Sequence, residues 1–498
     1  MIIGAGMGGL AAAALLAHRG VGVTVLERAA APGGKMRQVS VDGRAIDAGP
    51  TVFTMRWVFE ALFAECGMRL DQAVGLTQAG VLARHAWGGD RLDLFADPEQ
   101  SAAAIEAFAG PAEARGFRSF CAAAQRIYKT LEGPFIRGER PSMTSLALSV
   151  RPKDLLAIKP FASLWGELGT HFRDPRLRQL FGRYATYCGS SPFLAPATLM
   201  LVADVEQQGV WYVDGGMHAL AKALAGLATA GGAEIRYGAD VAEIATQAGR
   251  VSGVRLASGE VVVADAVIAN ADPQAIAAGR FGPAVQRAVQ RQKPAERSLS
   301  ALTWTGVAEV EGFPLVRHSV FFSRDYKAEF DALGRGSMAR EPTVYVCAQD
   351  RSDAGEPGGP ERLLVLINAP PIGDARAMTD REIEKCREDA WELMGQSGLR
   401  LKELAMTTTG PAAFEALFPA TGGALYGPAV HGGTASFKRP ASRTAVRGLY
   451  LAGGGAHPGA GVPMAALSGR LAASALMADL GSIGPSRMTA TAGGMSTR

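Results

Sequence analysis

The stretch "MIIGAGMGGLAAAALLAHRGVGVTVLERAAAPGGK" holds the residues with the most definite chemistry in the chain. Gly4, Gly6 and Gly9 form a GxGxxG pattern, and Glu27 follows 23 positions after the first of them. Bare backbone at that spacing permits a tight turn, lets a pyrophosphate approach the main chain, and lets a helix pack on its strand. The acidic side chain is spaced to accept hydrogen bonds from an adenosine ribose. A dinucleotide is therefore the expected ligand. Little else in the sequence has the pattern of a reactive group. The five cysteines (Cys66, Cys121, Cys188, Cys347 and Cys386) are scattered without a CxxC pair. That argues for a reducing compartment and against a disulfide framework or a thiolate metal site. The histidines show neither HxxxH nor HxH spacing, so no metal is expected, and no Ser-His-Asp array stands out.

The elements that must position these residues can be read from the same stretch. An apolar stub, Met1-Ile2-Ile3, leads into the glycines, an Ala/Leu helix runs from Leu10 to His18, and Gly20 sits where a helix stop belongs. "VGVTVLE" is the second strand, ending on Glu27, which completes a βαβ unit. Central parallel strands usually have about five residues, yet three precede Gly4. Either the chain lacks a few N-terminal residues or its first strand is abnormally short. At the other end, "GLYLAGGGAHPGAGVPMAALSGRLAA" is a strand, a glycine-rich turn and a helix opening near Val462. Pro463 suits a first helical turn, and the positive end of that helix would stabilise negative charge. In the middle, residues 215–244 are a helix then a strand, and 249–273 are strand, turn, strand, strand.

The fold class expected is α/β, with a Rossmann-like cofactor domain assembled from residues 1–80, 215–290 and 440–480. Two insertions, 85–214 largely helical and 295–435 strand-rich, should form an α+β substrate domain over it. The tail 481–498 is small and polar and is expected to be disordered.

Composition narrows the function classes. Glycine makes up 62 of 498 residues, about 12%, against a usual ~7%, and it clusters between apolar runs as close backbone approaches to a ligand would require. Net charge is +4 but uneven, for residues 126–183 hold eleven Lys/Arg against five Asp/Glu. That stretch is +6 and the remainder −2. With apolar residues interleaved ("LLAIKPFASLWGEL"), it is either a solvated helical face or a surface resting on anionic lipid. Nucleic acid is not expected, and no segment reads as a spanning helix.

After Glu27 the chain runs "RAAAPGGK", which places Gly33 and Gly34 shortly beyond the acid. This resembles the fingerprint of the FAD-dependent amine oxidase and carotenoid desaturase superfamily. "DAGPTV", "HSVFFSRDYKAEF", "PTVYVCAQDRSDAGEPGGPERLLVLINAP", "FPATGGALYG" and "GGGAHPGAGVP" resemble the bacterial phytoene desaturase family, in that family's order and over nearly the whole chain. "GPTVFTMRWVFEALFAECG" and "LARHAWGGDRLDLFAD" are most similar to its 1-hydroxycarotenoid 3,4-desaturases, which act late in spheroidene- and spirilloxanthin-type pathways.

The resemblance implies noncovalent FAD, contacted by Gly4, Gly6, Gly9, Glu27, Gly33, Gly34 and Lys35. It also implies Pro50 and Thr51 in the loop before the isoalloxazine, Val241 at the adenine, and Gly455 with Gly461, Val462, Pro463 and Met464 at the flavin end. The reaction implied removes a hydride from the allylic carbon of an acyclic 1-hydroxy or 1-methoxy carotenoid and a proton from its neighbour. The cation left by hydride loss spreads along the polyene, so few catalytic groups are needed beyond placement and exclusion of water. No catalytic residue is assigned. Arg56 is a candidate for the substrate oxygen and His457 for the proton, with exposure and turn packing as their alternatives.

A rod-shaped substrate calls for an apolar tunnel, with Val52, Phe53, Met55, Trp57, Phe59, Phe161, Leu164, Trp165, Phe193 and Met464 as candidate lining. The location expected is cytoplasmic, peripheral to the inner membrane through 126–183, with oxygen or a quinone as electron acceptor. Alternatives are a phytoene desaturase, isomerase or ketolase of the same family, an amine oxidase, and a non-enzymatic prenyl-lipid-binding protein of the same fold.

Overall fold

The computed structural model describes residues 1–139, 142–159, 161–353 and 355–482. Ile2–Ile3 forms strand β1, paired in parallel on both sides. With β2 (Thr24–Glu27), β3 (Glu234–Tyr237), β4 (Val267–Ala269) and β5 (Leu449–Leu451) it makes a parallel sheet in the order β5-β4-β1-β2-β3. Ile3 stands opposite Ala269 on one side and Leu26 on the other. β4 and β5 are buried throughout, as strands covered on both faces must be.

Helix α1 (Met7–His18) is buried from Met7 to Ala17, which explains why its sequence is apolar all round rather than striped. It packs between α2 (Met217–Ala230) and α3 (Val462–Ser482). Small residues permit this, for a Cβ on Gly469 of α3 would lie 2.0 Å from the Gly8 carbonyl oxygen of α1. α1 ends as expected at Gly20, whose φ is +78°. Val21 N–H donates to Leu16 and Gly20 N–H to Ala17, a Schellman close.

A second, seven-stranded sheet runs in the order 400–409, 300–311, 361–369, 344–348, 318–321, 81–87, 90–95. Its last two strands come from the region read from sequence as helical, so the boundary expected at residue 85 falls inside a strand. The cause is a hairpin, in which Trp87 pairs with Asp90 across Gly88-Gly89 and Ser319 pairs with Arg84 to join it to the sheet. Helices follow from Pro98–Ala109 onward. Pro111–Leu131 buries Phe117, Phe120, Ala124, Ile127 and Leu131, a helical stripe that shares one core with the hairpin's Leu92 and Leu94. It continues into a π-helical turn, Glu132–Ile136. α3 reaches Ser482, two residues into the segment expected to be a tail, and 483–498 lie outside the described residues. Among the described residues no helix is long and apolar enough to cross a membrane.

Candidate functional site

One cavity of about 1460 Å³ joins the parallel sheet to the helical layer. This exceeds the ~300–1,000 Å³ of ordinary ligand pockets and has room for two ligands meeting end to end. Its floor is the turn between β1 and α1. Gly4 is left-handed at φ +93°, and α1 begins at Gly6 with no side-chain cap, leaving its first amides directed at the cavity. A Cβ on Gly9 would lie 2.1 Å from the Gly4 oxygen, and one on Gly6 2.7 Å from Asn270 Nδ2. The glycines are thus required by close contacts with the chain itself, and the groove they leave is the shape of a pyrophosphate cradle.

Glu27, at the end of β2, is buried and reaches back across this turn. Its carboxylate accepts from Ala5 N–H at 2.6 Å and Ala29 N–H at 2.8 Å, with lone pairs left over for a ribose. Gly33 N–H donates to the Ala5 carbonyl, which brings the second glycine pair against the first. Lys35 Nζ donates to the Leu425 carbonyl at 2.6 Å and lies over Phe418, and burial lowers its pKa despite Asp272 nearby. Val241 lines the cavity at the start of strand Val241–Gln247, as do Gly455 and, at the amino end of α3, Gly461, Val462, Pro463 and Met464. The loop with Pro50 and Thr51 is pinned from the second sheet: Gln349 exchanges two hydrogen bonds with the Asp47 backbone. Thr51 Oγ1 contacts the Tyr345 hydroxyl at 2.6 Å, which in turn contacts His318 Nδ1 at 2.7 Å.

The glycine cradle, the acid and the helix amino ends that line this cavity fit an FAD. The chain matches the family described as flavin containing amine oxidoreductase over residues 7–477. It belongs to that family. It is 55% identical to a hydroxyneurosporene desaturase of Rubrivivax gelatinosus, covering 100% of this chain and 97% of the relative. It is 47% identical to one from Cereibacter sphaeroides, covering 97% and 98%. A solved oxidoreductase from Methanosarcina mazei shares the fold at 19% identity and TM-score 0.57, covering 96% of this chain and 99% of that one. The chain is an FAD-dependent oxidoreductase of the carotenoid desaturase group.

The two weak candidates for chemistry in this desaturase stand away from the cavity. Arg56 opens helix Arg56–Glu65, and its Nε donates to Glu60 at 2.8 Å along the same helix. His457 is buried behind the lining, its Nε2 against the Gly138 carbonyl at 2.8 Å and its ring edge-on to Phe135; burial lowers its pKa. No histidine lines the cavity among the described residues. Of the ten tunnel candidates, Val52, Met55, Phe161 and Met464 line it. Phe53, Phe59 and Leu164 are core, Trp165 and Phe193 pack on each other, and Trp57 lies under the Arg137 guanidinium. Helical and strand periodicity cannot separate a core face from a cavity face.

Sequence reasoning missed three residues. Asn270, in "IANADP" just beyond β4, donates from Nδ2 to the Gly4 carbonyl and touches Gly6, Gly8 and Gly453. Arg439 donates to the carbonyls of Gly454, Tyr426 and Pro428, bracing the glycine turn before α3. Arg183 projects into the cavity. The basic stretch 126–183 is itself divided, apart from Arg140, which lies outside the described residues. Arg176 is tied to Asp174 and Asp90 and Arg178 covers Trp165, whereas Arg151, Lys153 and Lys159 are exposed in the segment that carries Leu148 and Phe161, Arg151 paired with Asp154 and Lys159 with Glu167. Those two apolar side chains are 84% and 81% exposed.

Proposed function

We propose that this desaturase removes hydrogen from the C-3,4 bond of acyclic 1-hydroxy or 1-methoxy carotenoids such as 1-hydroxyneurosporene. One observation carries the reading: the cavity that begins at the dinucleotide glycines continues without interruption into an apolar bore lined by Leu131, Ile136, Leu146, Leu155, Leu199 and Val202. Bound FAD supplies a two-electron acceptor for the hydride. The protein's share is placement. Gly4, Gly6, Gly9, Glu27, Gly33, Gly34 and Lys35 would hold the adenosine and pyrophosphate side, with Val241 at the adenine. Pro50, Thr51, Gly455, Gly461, Val462, Pro463 and Met464 border the reactive end, where the amino end of α3 favours negative charge. The apolar walls align the rod and exclude water, and the polyene disperses the charge left on it, so the proton needs no strong base.

The mouth of the bore lies among Met143, Leu146, Pro152 and Phe161, beside the exposed Leu148 and the cations Arg151, Lys153 and Lys159. This supports peripheral docking on an anionic bilayer, from which a substrate too apolar for water enters directly. The deciding experiment supplies the FAD-loaded protein with 1-hydroxyneurosporene in liposomes and follows the red shift of the polyene spectrum. A lengthened chromophore whose new double bond lies at C-3,4 is expected. An unchanged spectrum from protein that retains FAD would refute the reading.

A further inference from the structure

The bore is apolar along most of its length, and one short turn interrupts it. Segment Arg183–Cys188 presents Arg183 and Tyr187 to the cavity, beside Glu206 of helix Leu201–Gln207 and Tyr345, which line it too. The hydroxyls of Tyr184 and Tyr187 donate to the two carboxylate oxygens of Glu206 at 2.7 and 2.6 Å. With its O–H directed at Glu206, the Tyr187 hydroxyl presents its oxygen to the bore as an acceptor. The Arg183 guanidinium lies 5.3 Å from the Tyr187 ring centre and 5.5 Å from that of Tyr345. Among the described residues its one side-chain hydrogen bond, Nη1 to the Tyr187 hydroxyl, stretches to 3.5 Å. That is beyond the usual range for such a bond.

A guanidinium carries five N–H donors and stays charged, so an apolar enclosure that leaves them unused is costly. Arg439 shows the contrast, with three carbonyl acceptors between 2.7 and 2.9 Å. Arg183 is instead left for something that enters the bore. Its place is close to the reacting end, since Tyr345 bridges it to Thr51 of the loop beside the dinucleotide glycines.

We propose that Arg183 and Tyr187 together bind the oxygen at C-1 of the substrate and so set the preference for oxygenated polyene ends. The inference rests on the desaturase reading above. A tertiary alcohol satisfies both partners, its oxygen accepting from Arg183 and its hydroxyl donating to the Tyr187 oxygen. A methyl ether can only accept. A carboxylate is disfavoured, because Glu206 already supplies the negative charge opposite Arg183. One carbon separates C-1 from C-3, so an oxygen held here fixes where along the rod the reacting bond stops. A plain hydrocarbon can slide.

The test compares a 1-hydroxy, a 1-methoxy and a hydrocarbon polyene of equal length, with bound FAD as the check on folding and equilibrium polyene binding as a readout beside turnover. Arg183→Leu should weaken binding and kcat/KM for both oxygenated substrates by about tenfold or more and leave the hydrocarbon within about twofold. Tyr187→Phe should do so for the alcohol alone, and Arg183→Lys should recover part of the loss. Should Arg183→Leu lose FAD, Tyr187→Phe and Arg183→Lys carry the test. Equal losses on all three polyenes, or no loss on any, with FAD retained, would overturn the proposal. Wild-type protein inactive on every polyene would instead overturn the desaturase reading itself.

Discussion

The same substitution at two glycines should have opposite effects, because the structure gives the new methyl group opposite surroundings. At Gly9 a Cβ would sit 2.1 Å from the Gly4 carbonyl oxygen, where carbon and oxygen ordinarily stay about 3.3–3.6 Å apart. Neither atom belongs to a flexible side chain, so α1 must move outward by about 1 Å. Overpacking of this kind costs about 1–3 kcal/mol. The displacement also lifts the amino end of α1 away from the pyrophosphate, so FAD affinity should fall by about tenfold or more. At Gly226, exposed on α2, nothing lies within 4 Å of the added carbon. Alanine there removes backbone freedom from the unfolded chain and should stabilise by about 0.5–1 kcal/mol. Thermal unfolding of the apo and FAD-loaded forms, with FAD titrated by fluorescence, measures both effects. Gly9→Ala with unaltered melting and FAD affinity would refute the argument from close approach, and so would Gly226→Ala behaving like Gly9→Ala.

Three further outcomes are expected. His85 is buried against the stacked rings of Trp87 and Phe322, and burial lowers its pKa from 6.5 to about 3. The unfolded chain takes up a proton below 6.5 that the folded chain refuses, so stability should be full above that value and fall as pH drops toward 3. His85→Phe should flatten this part of the denaturant-unfolding profile, and an unchanged slope would contradict the burial argument. Arg351 and Glu361 form a bidentate pair at 2.6 and 2.7 Å, 5% and 3% exposed. Arg351→Met should cost about 3–5 kcal/mol by stranding the carboxylate, and Arg351→Met with Glu361→Leu should cost less than the single change, read from urea midpoints. Leu148→Glu with Phe161→Ser should reduce flotation with anionic liposomes while FAD binding persists. Raising salt should weaken the wild-type flotation, and salt-insensitive binding would count against the basic surface.

The cofactor half was readable because its demands are local. A tight turn needs Gly4, a helix stop needs Gly20, and β2 must end on an acid, so each leaves a mark within a few residues. The substrate half obeys a different logic. Phe53 and Met55 are two residues apart in one buried core cluster, yet Met55 also lines the cavity and Phe53 does not, a distinction made by packing partners far away in sequence. The hairpin 81–95 carried its own signal in Gly88-Gly89 between alternating residues, but its place in the sheet depends on Ser319. Arg56 and Arg183 look alike in the sequence. Only the fold ties one to Glu60 on its own helix and turns the other into the bore.

The order of strands has a consequence for how the protein is made. β1 is synthesised some 265 positions before its neighbour β4. β5 and α3 come later still. At ~5–20 residues per second the opening loop waits on the order of tens of seconds for its partners. FAD capture therefore waits for β5 and α3, and a truncation within α3 should abolish flavin loading as thoroughly as one that removes β1.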